Sequence, residues 1–314
     1  MKQLQILEPG KAAWRDTPKP SPGPGEALVR VKAVSTCPHW DLHIMHGKPM
    51  FEGFQLNYPY WPGQPGHEMT GVIEQLGPDT VGPTPGTTVA AWRDSGPYRN
   101  GAYGEYACLP AENLIEVPSS LEPAEIAPLE LAMCVHVSFD QLDELGSLDG
   151  AMLGLTGMGP GGLIAVQIGK ALGAHVVAYD PVADRRELAL SLGADEALDP
   201  AAESRAQRFL DFAVDCTGAV PAISFLIDRT KRAVTLFGVL RNNLNFPPSH
   251  WYGGFSLVGY GEHNRRSAER ALRLVVDGKL RLDPLISRTL PFTEYERGVE
   301  LLARKEAIKI LFVP

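Results

Sequence analysis

The sequence predicts an α/β protein with a doubly wound parallel sheet, preceded by a compact, mainly β region. Three observations carry this. The stretch AMLGLTGMGPGGLIAVQIGKALGAHVVAYD, Ala151 to Asp180, runs from a short apolar segment through a glycine-punctuated turn to a helix-like segment and a second apolar run. From about Pro123, helical and buried-strand patterns alternate, as a parallel sheet requires. Residues 1–120 are instead rich in Pro and Gly, with the short alternating runs of an antiparallel β unit.

Taken in order, Ala27–Val34, Gly71–Leu76 and Tyr103–Leu109 read as strands of the first region, and Pro18–Gly25 as a proline-rich connector. Ala151–Thr156 is a strand, Leu163–Leu172 a helix closed by Gly173, and His175–Tyr179 the next strand. Helices follow near Arg185–Leu192 and Ala201–Leu210, then the strand Phe212–Asp215, a helix near Val220–Asp228 and the strand Ala233–Gly238. Phe255–Tyr260 completes the sheet, and Ser267–Asp277 is a helix ended by Gly278. In the tail, Leu285–Leu290 and Ile308–Val313 read as strands. Thr293 and Glu296 have capping-box spacing for a helix reaching about Arg304. The pattern divides the chain into residues 1–122, 123–265 and 266–314, the last expected to pack back onto the first.

At 314 residues the chain has room for two cores, with an ordinary 44% hydrophobic content. Thirty-seven acidic against 29 basic residues give a formal charge of −8, which argues against nucleic-acid or anionic-membrane partners. The N-terminal MKQLQILEPGK lacks the apolar core of a signal peptide, and no run approaches the ~20 apolar residues of a membrane span. The four cysteines form no CxxC pair. A cytoplasmic protein acting on a small molecule is the expectation.

Gly157, Gly159 and Gly162 give GxGxxG spacing between a strand and a helix, and Asp180 ends the next strand 18 positions after the last glycine. This is a dinucleotide-binding pattern: glycines for a tight turn, for backbone approach to a pyrophosphate and for helix–strand packing, with a helix N-terminus for the phosphates. Gly157, Gly159, Pro160, Gly161, Gly162 and Asp180 are therefore the candidate cofactor residues, with Arg185 nearby and Thr217 in DFAVDCTG. Asp180 is expected to accept from the ribose hydroxyls and repel a 2′-phosphate. Such bonds, worth roughly 1.5–3 kcal/mol, favour NAD over NADP. Arg185 and Arg186 weaken that preference.

Metal-capable side chains collect in three places: Cys37-Pro38-His39-Trp40-Asp41-Leu42-His43, Gly66-His67-Glu68, and Glu130-Leu131-Ala132-Met133-Cys134-Val135-His136. A catalytic zinc takes about three ligands from Cys, His and carboxylate and leaves one position open. Each residue also has a plain reading: Cys37 or Cys134 as a small buried hydrophobe, His67 in a turn, Glu130 on a helix surface.

With these residues assembled, the chain resembles the medium-chain dehydrogenase/reductases of the zinc-dependent alcohol dehydrogenase type. The likeness runs over GHEMTGVIEQLG (66–77), GAYGEYACLPAENL (101–114), GMGPGG (157–162), Asp180, DFAVDCTG (211–218) and GVELLARKEAIKILFVP (298–314). It implies a GroES-like catalytic domain, a Rossmann domain, one catalytic zinc and a homodimer. Carried over, Cys37 and His67 match the first two zinc ligands, and Glu68 the acidic neighbour that can enter the metal's shell. The third ligand stays open between Glu130, as in polyol-dehydrogenase-like members and the first choice, and Cys134 in reserve.

Two departures stand out. Asp41 follows Cys37 by four positions where relatives have three, and Trp40 takes the place of the Ser or Thr that passes the proton. An indole is only a donor, so His39 or His43 is left to relay, His43 matching the family's relay histidine. Ala90–Tyr106 is short and cysteine-free, so no structural zinc is expected. The reading is reversible hydride transfer between a small alcohol and NAD, with zinc as Lewis acid. Trp40, Trp61, Trp92 and Tyr98 are candidate pocket walls. The rivals are a zinc-free, NADPH-dependent quinone or enoyl reductase of the same fold, and a non-catalytic nucleotide-binding sensor.

Overall fold

A computed structural model describes residues 1–51, 53–205 and 208–314. The chain forms two units: Met1–Leu131 together with Leu282–Pro314, and Ala132–Arg281. No helix among the described residues is long and apolar enough to cross a membrane.

The first unit is built on a mainly antiparallel sheet with spatial order Ile286–Pro291, Lys309–Val313, Glu26–Ser35, Glu68–Leu76, Thr88–Ala91 and Leu114–Glu116. Tyr106–Pro110 adds to Glu26–Ser35, and Lys2–Glu8 pairs with Lys11–Asp16 in a separate hairpin. The tail thus returns: Lys309–Val313 lies antiparallel to Glu26–Ser35 and parallel to Ile286–Pro291. Register matters for chemistry, because Ser35 stands opposite Glu68 and also opposite Leu311. The core beneath is aliphatic and aromatic, including Ile6, Val29, Met69, Tyr103, Tyr295 and Phe312. Leaving the sheet, the chain turns at Cys37 into the short helix Pro38–Met45.

The second unit holds a wholly parallel sheet in the order Glu196–Leu198, His175–Tyr179, Met152–Thr156, Leu210–Asp215, Thr230–Leu236, Ser256–Val258. In chain order this is 3-2-1-4-5-6, with the helices Pro160–Ala171, Ala183–Ser191 and Val220–Arg229 following the first, second and fourth strands, the doubly wound dinucleotide arrangement. Its strands are apolar runs because both faces are covered.

Two local expectations are corrected. Residues 201–210 form no helix where they are described: a 3-10 turn, Pro200–Ala202, is followed by irregular chain and by the strand that starts at Leu210, while residues 206 and 207 lie outside the described residues. Asp199 caps that turn through Ala201 N–H, and Tyr179 and Arg205 then commit to Glu203, a side-chain network that outweighs the alanine-rich propensity. The Thr293–Glu296 capping box does not form. A 3-10 turn, Phe292–Glu294, leads straight into the helix Tyr295–Ala303, and Glu296 instead accepts from the Ala12 N–H at 2.7 Å.

Candidate metal and dinucleotide sites

Cys37 is the N-cap residue of Pro38–Met45, in extended backbone (φ −98°, ψ 99°), with Pro38 pre-set for the first helical turn. Its thiol, a ring nitrogen of His67 and a carboxylate oxygen of Glu68 lie within 4.8 Å of one another. The inserted residue after Cys37 therefore does not turn the thiol away from the histidine. His67 Nδ1 sits 2.6 Å from the Pro65 carbonyl, an acceptor only, so in the neutral ring Nδ1 carries the proton and Nε2 is the lone-pair nitrogen. Nε2 lies 3.9 Å from Glu130 Oε2. Burial opposes a charge on His67, but the Cys37 thiol and the nearby Glu130 carboxylate outweigh it and hold the imidazole well above its ordinary pKa. Positive charge is thus favoured beside these donors. Sulfur, imidazole nitrogen and carboxylate oxygen converging at such a place is a donor set that fits zinc.

Glu68 is fully buried and already committed. Lys309 Nζ donates to both of its oxygens (2.8 and 2.7 Å), and Ser35 Oγ donates at 2.7 Å. Lys309, itself fully buried, also donates to the Thr36 carbonyl. Glu130 is the other buried carboxylate beside His67. Cys134, one turn further along the helix Leu129–Asp143, has its thiol 3.4 Å from His263 Nε2 in the second unit.

Asp41 is fully buried: Oδ2 accepts from the Cys37 N–H (2.8 Å), and Oδ1 from the phenols of Tyr103 (3.0 Å) and Tyr295 (2.8 Å). Burial pushes its carboxyl up to about 6, against the pull of the Tyr295 and Tyr103 hydrogen bonds. His39 is exposed and His43 half-buried, their rings edge-to-face at 6.3 Å, and His43 Nδ1 lies 2.8 Å from the Lys48 carbonyl. Neither belongs to the Cys37–His67–Glu68 cluster. Trp40 packs edge-on to Phe51 and Phe54, and Phe54 stacks on Tyr98. Trp92 is buried with Nε1 donating to the Glu112 carbonyl, which makes it core; Trp61 is exposed.

In the second unit, Gly157 has φ +82° at the end of the first strand. A Cβ on Gly162 would lie 1.9 Å from the Gly157 carbonyl oxygen, so only glycine lets the helix approach. Gly159 caps Pro160–Ala171 with no side-chain hydrogen bond, and a Cβ there would meet no described atom within 4 Å. The helix N–H groups at Gly161 and Gly162 therefore face no side-chain cap, as an anion site needs. Asp180 accepts from Met158 N–H (2.7 Å) and Val182 N–H (2.8 Å), and Arg185 donates to the Met158 carbonyl (3.2 Å). Both backbone polar groups of Met158 are thus held from the second strand–helix turn. Thr217 donates to Asp215 Oδ1 (2.6 Å), which also takes Thr156 Oγ1.

Sequence reasoning missed Lys309, Tyr103, Tyr295 and Asp215. A lysine inside the apolar strand run IKILFV was the one available signal for Lys309.

Comparison with known proteins gives the family and the fold. Residues 23–119 match the alcohol dehydrogenase GroES-like domain, and residues 160–277 the zinc-binding dehydrogenase domain. L-threonine 3-dehydrogenase of Pyrococcus horikoshii is 28% identical over 94% of this chain and 92% of its own length. An alcohol dehydrogenase of Geobacillus stearothermophilus is 29% identical over 85% and 86%. The solved structure of alcohol dehydrogenase TADH from Thermus sp. ATN1 superposes with a TM-score of 0.83 at 25% identity, covering 100% of this chain and 99% of that one. On the two matched domains, the parallel sheet and the Cys37–His67–Glu68 cluster, the chain belongs to the medium-chain dehydrogenase/reductases of the zinc-dependent alcohol dehydrogenase type.

Proposed function

We propose that the protein is an alcohol dehydrogenase that uses one zinc ion, and that it moves a hydride between a small alcohol and NAD. The observation that carries this is the convergence of Cys37, His67 and Glu68, with the His67 tautomer set by the Pro65 carbonyl. Cys37, His67 and Glu130 would hold the metal, and Glu68, neutralised by Lys309, would stand behind it. Zinc, when bound, supplies a Lewis acid that makes an alcohol easier to deprotonate. The nicotinamide supplies the hydride acceptor. The chain's own residues bind and orient. The uncapped helix N-terminus at Gly159 and the Met158 peptide held by Asp180 and Arg185 suit a pyrophosphate. Asp180, a carboxylate at the strand end, disfavours a 2′-phosphate. His43 is the candidate proton acceptor: Nδ1 faces the Lys48 carbonyl and carries the hydrogen, so Nε2 bears the lone pair. The aromatic group Trp40, Phe51, Phe54 and Tyr98 favours an apolar alcohol over a sugar.

Zinc analysis of gently purified protein, combined with alcohol oxidation assays, tests this. About one zinc per chain is expected, with activity lost on chelation and restored by zinc, and kcat/KM for NAD roughly tenfold or more above NADP. Sub-stoichiometric zinc with undiminished quinone or enone reduction by NADPH would replace this reading by that of a zinc-free reductase.

A further inference from the structure

Asp41 answers for Cys37 completely. Its carboxylate takes the Cys37 N–H at 2.8 Å, and its own N–H donates to the Cys37 carbonyl at 2.9 Å. Both backbone groups of the cysteine therefore end on one residue. In an ordinary capping box the third helical residue reaches back to the N-cap N–H; here, with one residue inserted, the fourth does. Nothing on Pro38–Met45 fixes the other oxygen. That is done by two phenols from distant parts of the chain: Tyr103, ahead of Tyr106–Pro110, and Tyr295, the first residue of Tyr295–Ala303. Burial and the facing Asp41 carboxylate raise both phenols well above their ordinary pKa, so they remain donors. Their rings pack edge to face at 5.1 Å, and both lean on Phe312. All three acid and phenol groups are buried, so water does not substitute for a missing donor.

We propose that Tyr103 and Tyr295 are positioning residues of the metal centre, acting through Asp41 to hold Cys37 in its ligand position. This rests on the metal reading above. A buried carboxylate short of a donor loses its fixed direction, and the Cys37 backbone follows. Partners behind metal ligands typically contribute 10–100-fold to metal affinity.

The test uses the full chain with Tyr295→Phe and Tyr103→Phe, which keep the rings. Zinc affinity is measured by competition with a chromophoric chelator, and thiolate ligation by the sulfur-to-cobalt charge-transfer band of the Co(II) form. Either substitution should weaken zinc binding about tenfold or more and diminish the cobalt band, with NADH binding unchanged. In a Cys37→Ser background the same substitution should have no further effect on zinc affinity. A purely structural role would lower affinity equally in both backgrounds, and that result overturns the proposal. So would folded single variants with parental affinity and band. If one variant fails to fold, the other suffices, since both phenols serve the same oxygen. Failure of the parent protein to bind zinc or cobalt would instead sink the metal reading, and the proposal with it.

Discussion

At the scale of single residues, Lys309 and Glu68 make the sharpest energetic statement in the molecule. Both are fully removed from water, and the cost of desolvating two charges is returned only because the pair is fully hydrogen-bonded. Lys309 donates to both Glu68 oxygens and to the Thr36 carbonyl, and Ser35 supplies Glu68 with another donor. Removing one member strands the other. Lys309→Met should destabilise the metal-free protein by about 3–5 kcal/mol, read from urea unfolding. The double variant Lys309→Met/Glu68→Gln should recover much of that loss, because no uncompensated charge remains. A single-variant loss below about 1 kcal/mol would mean that water reaches Glu68. The same arrangement is why the proposed function keeps Glu68 on Lys309 and takes Glu130, at 3.9 Å from His67, as the third ligand.

At the scale of elements, the glycine turn at Gly157–Gly162 and the GHE motif show what sequence reasoning reaches, whereas the helix Leu129–Asp143 entered it only as a possible setting for Glu130. Each of the first two is a local pattern with a local physical cause. What local patterns do not carry is partnership: Asp140, in the last turn, accepts from Ser267 Oγ (2.7 Å) and from Arg270, both on the helix Arg265–Val276, and stands 3.3 Å from His136 Nδ1. Burial raises the Asp140 carboxyl, but the adjacent His136 imidazole, the Ser267 hydrogen bond and the Arg270 charge outweigh it and bring it down to about 2. A carboxyl lowered in the folded state contributes stability that is present above its unfolded pKa, near 3.8, and is lost as pH falls toward 2. On the order of 2 kcal/mol is at stake. The stability difference between the parent and Asp140→Asn in metal-free protein should accordingly shrink by about that amount between pH 5 and pH 2. A constant difference over that range, by urea unfolding, would show that the network does not depend on the Asp140 charge. The failed capping box at Thr293–Glu296 has the same origin: Glu296 had a better donor in Ala12, 284 positions away.

At the scale of the whole molecule, the order of the chain explains a division of labour. The second unit is one uninterrupted stretch, Ala132–Arg281, and contains the complete parallel sheet and glycine turn. The first is discontinuous and is closed only by Leu282–Pro314, whose strand Lys309–Val313 sits between Ile286–Pro291 and Glu26–Ser35. That closing segment supplies Lys309 behind Glu68 and Tyr295 behind Asp41. The tail's return was legible from its strand-like texture; its chemical contributions were not, because they follow from register, with Leu311 opposite Ser35 and Ser35 opposite Glu68. The two capacities should therefore come apart on truncation. Deleting residues 307–314 removes the strand, bares the edges of its two neighbours and leaves Glu68 buried without its cation. The shortened chain is expected to lose zinc binding and show a loosened first unit by amide exchange, while NADH binding stays within about threefold of the parent, a difference below ~1 kcal/mol. Loss of NADH binding in step with zinc would show instead that the parallel-sheet unit does not hold its fold independently of the closing strand.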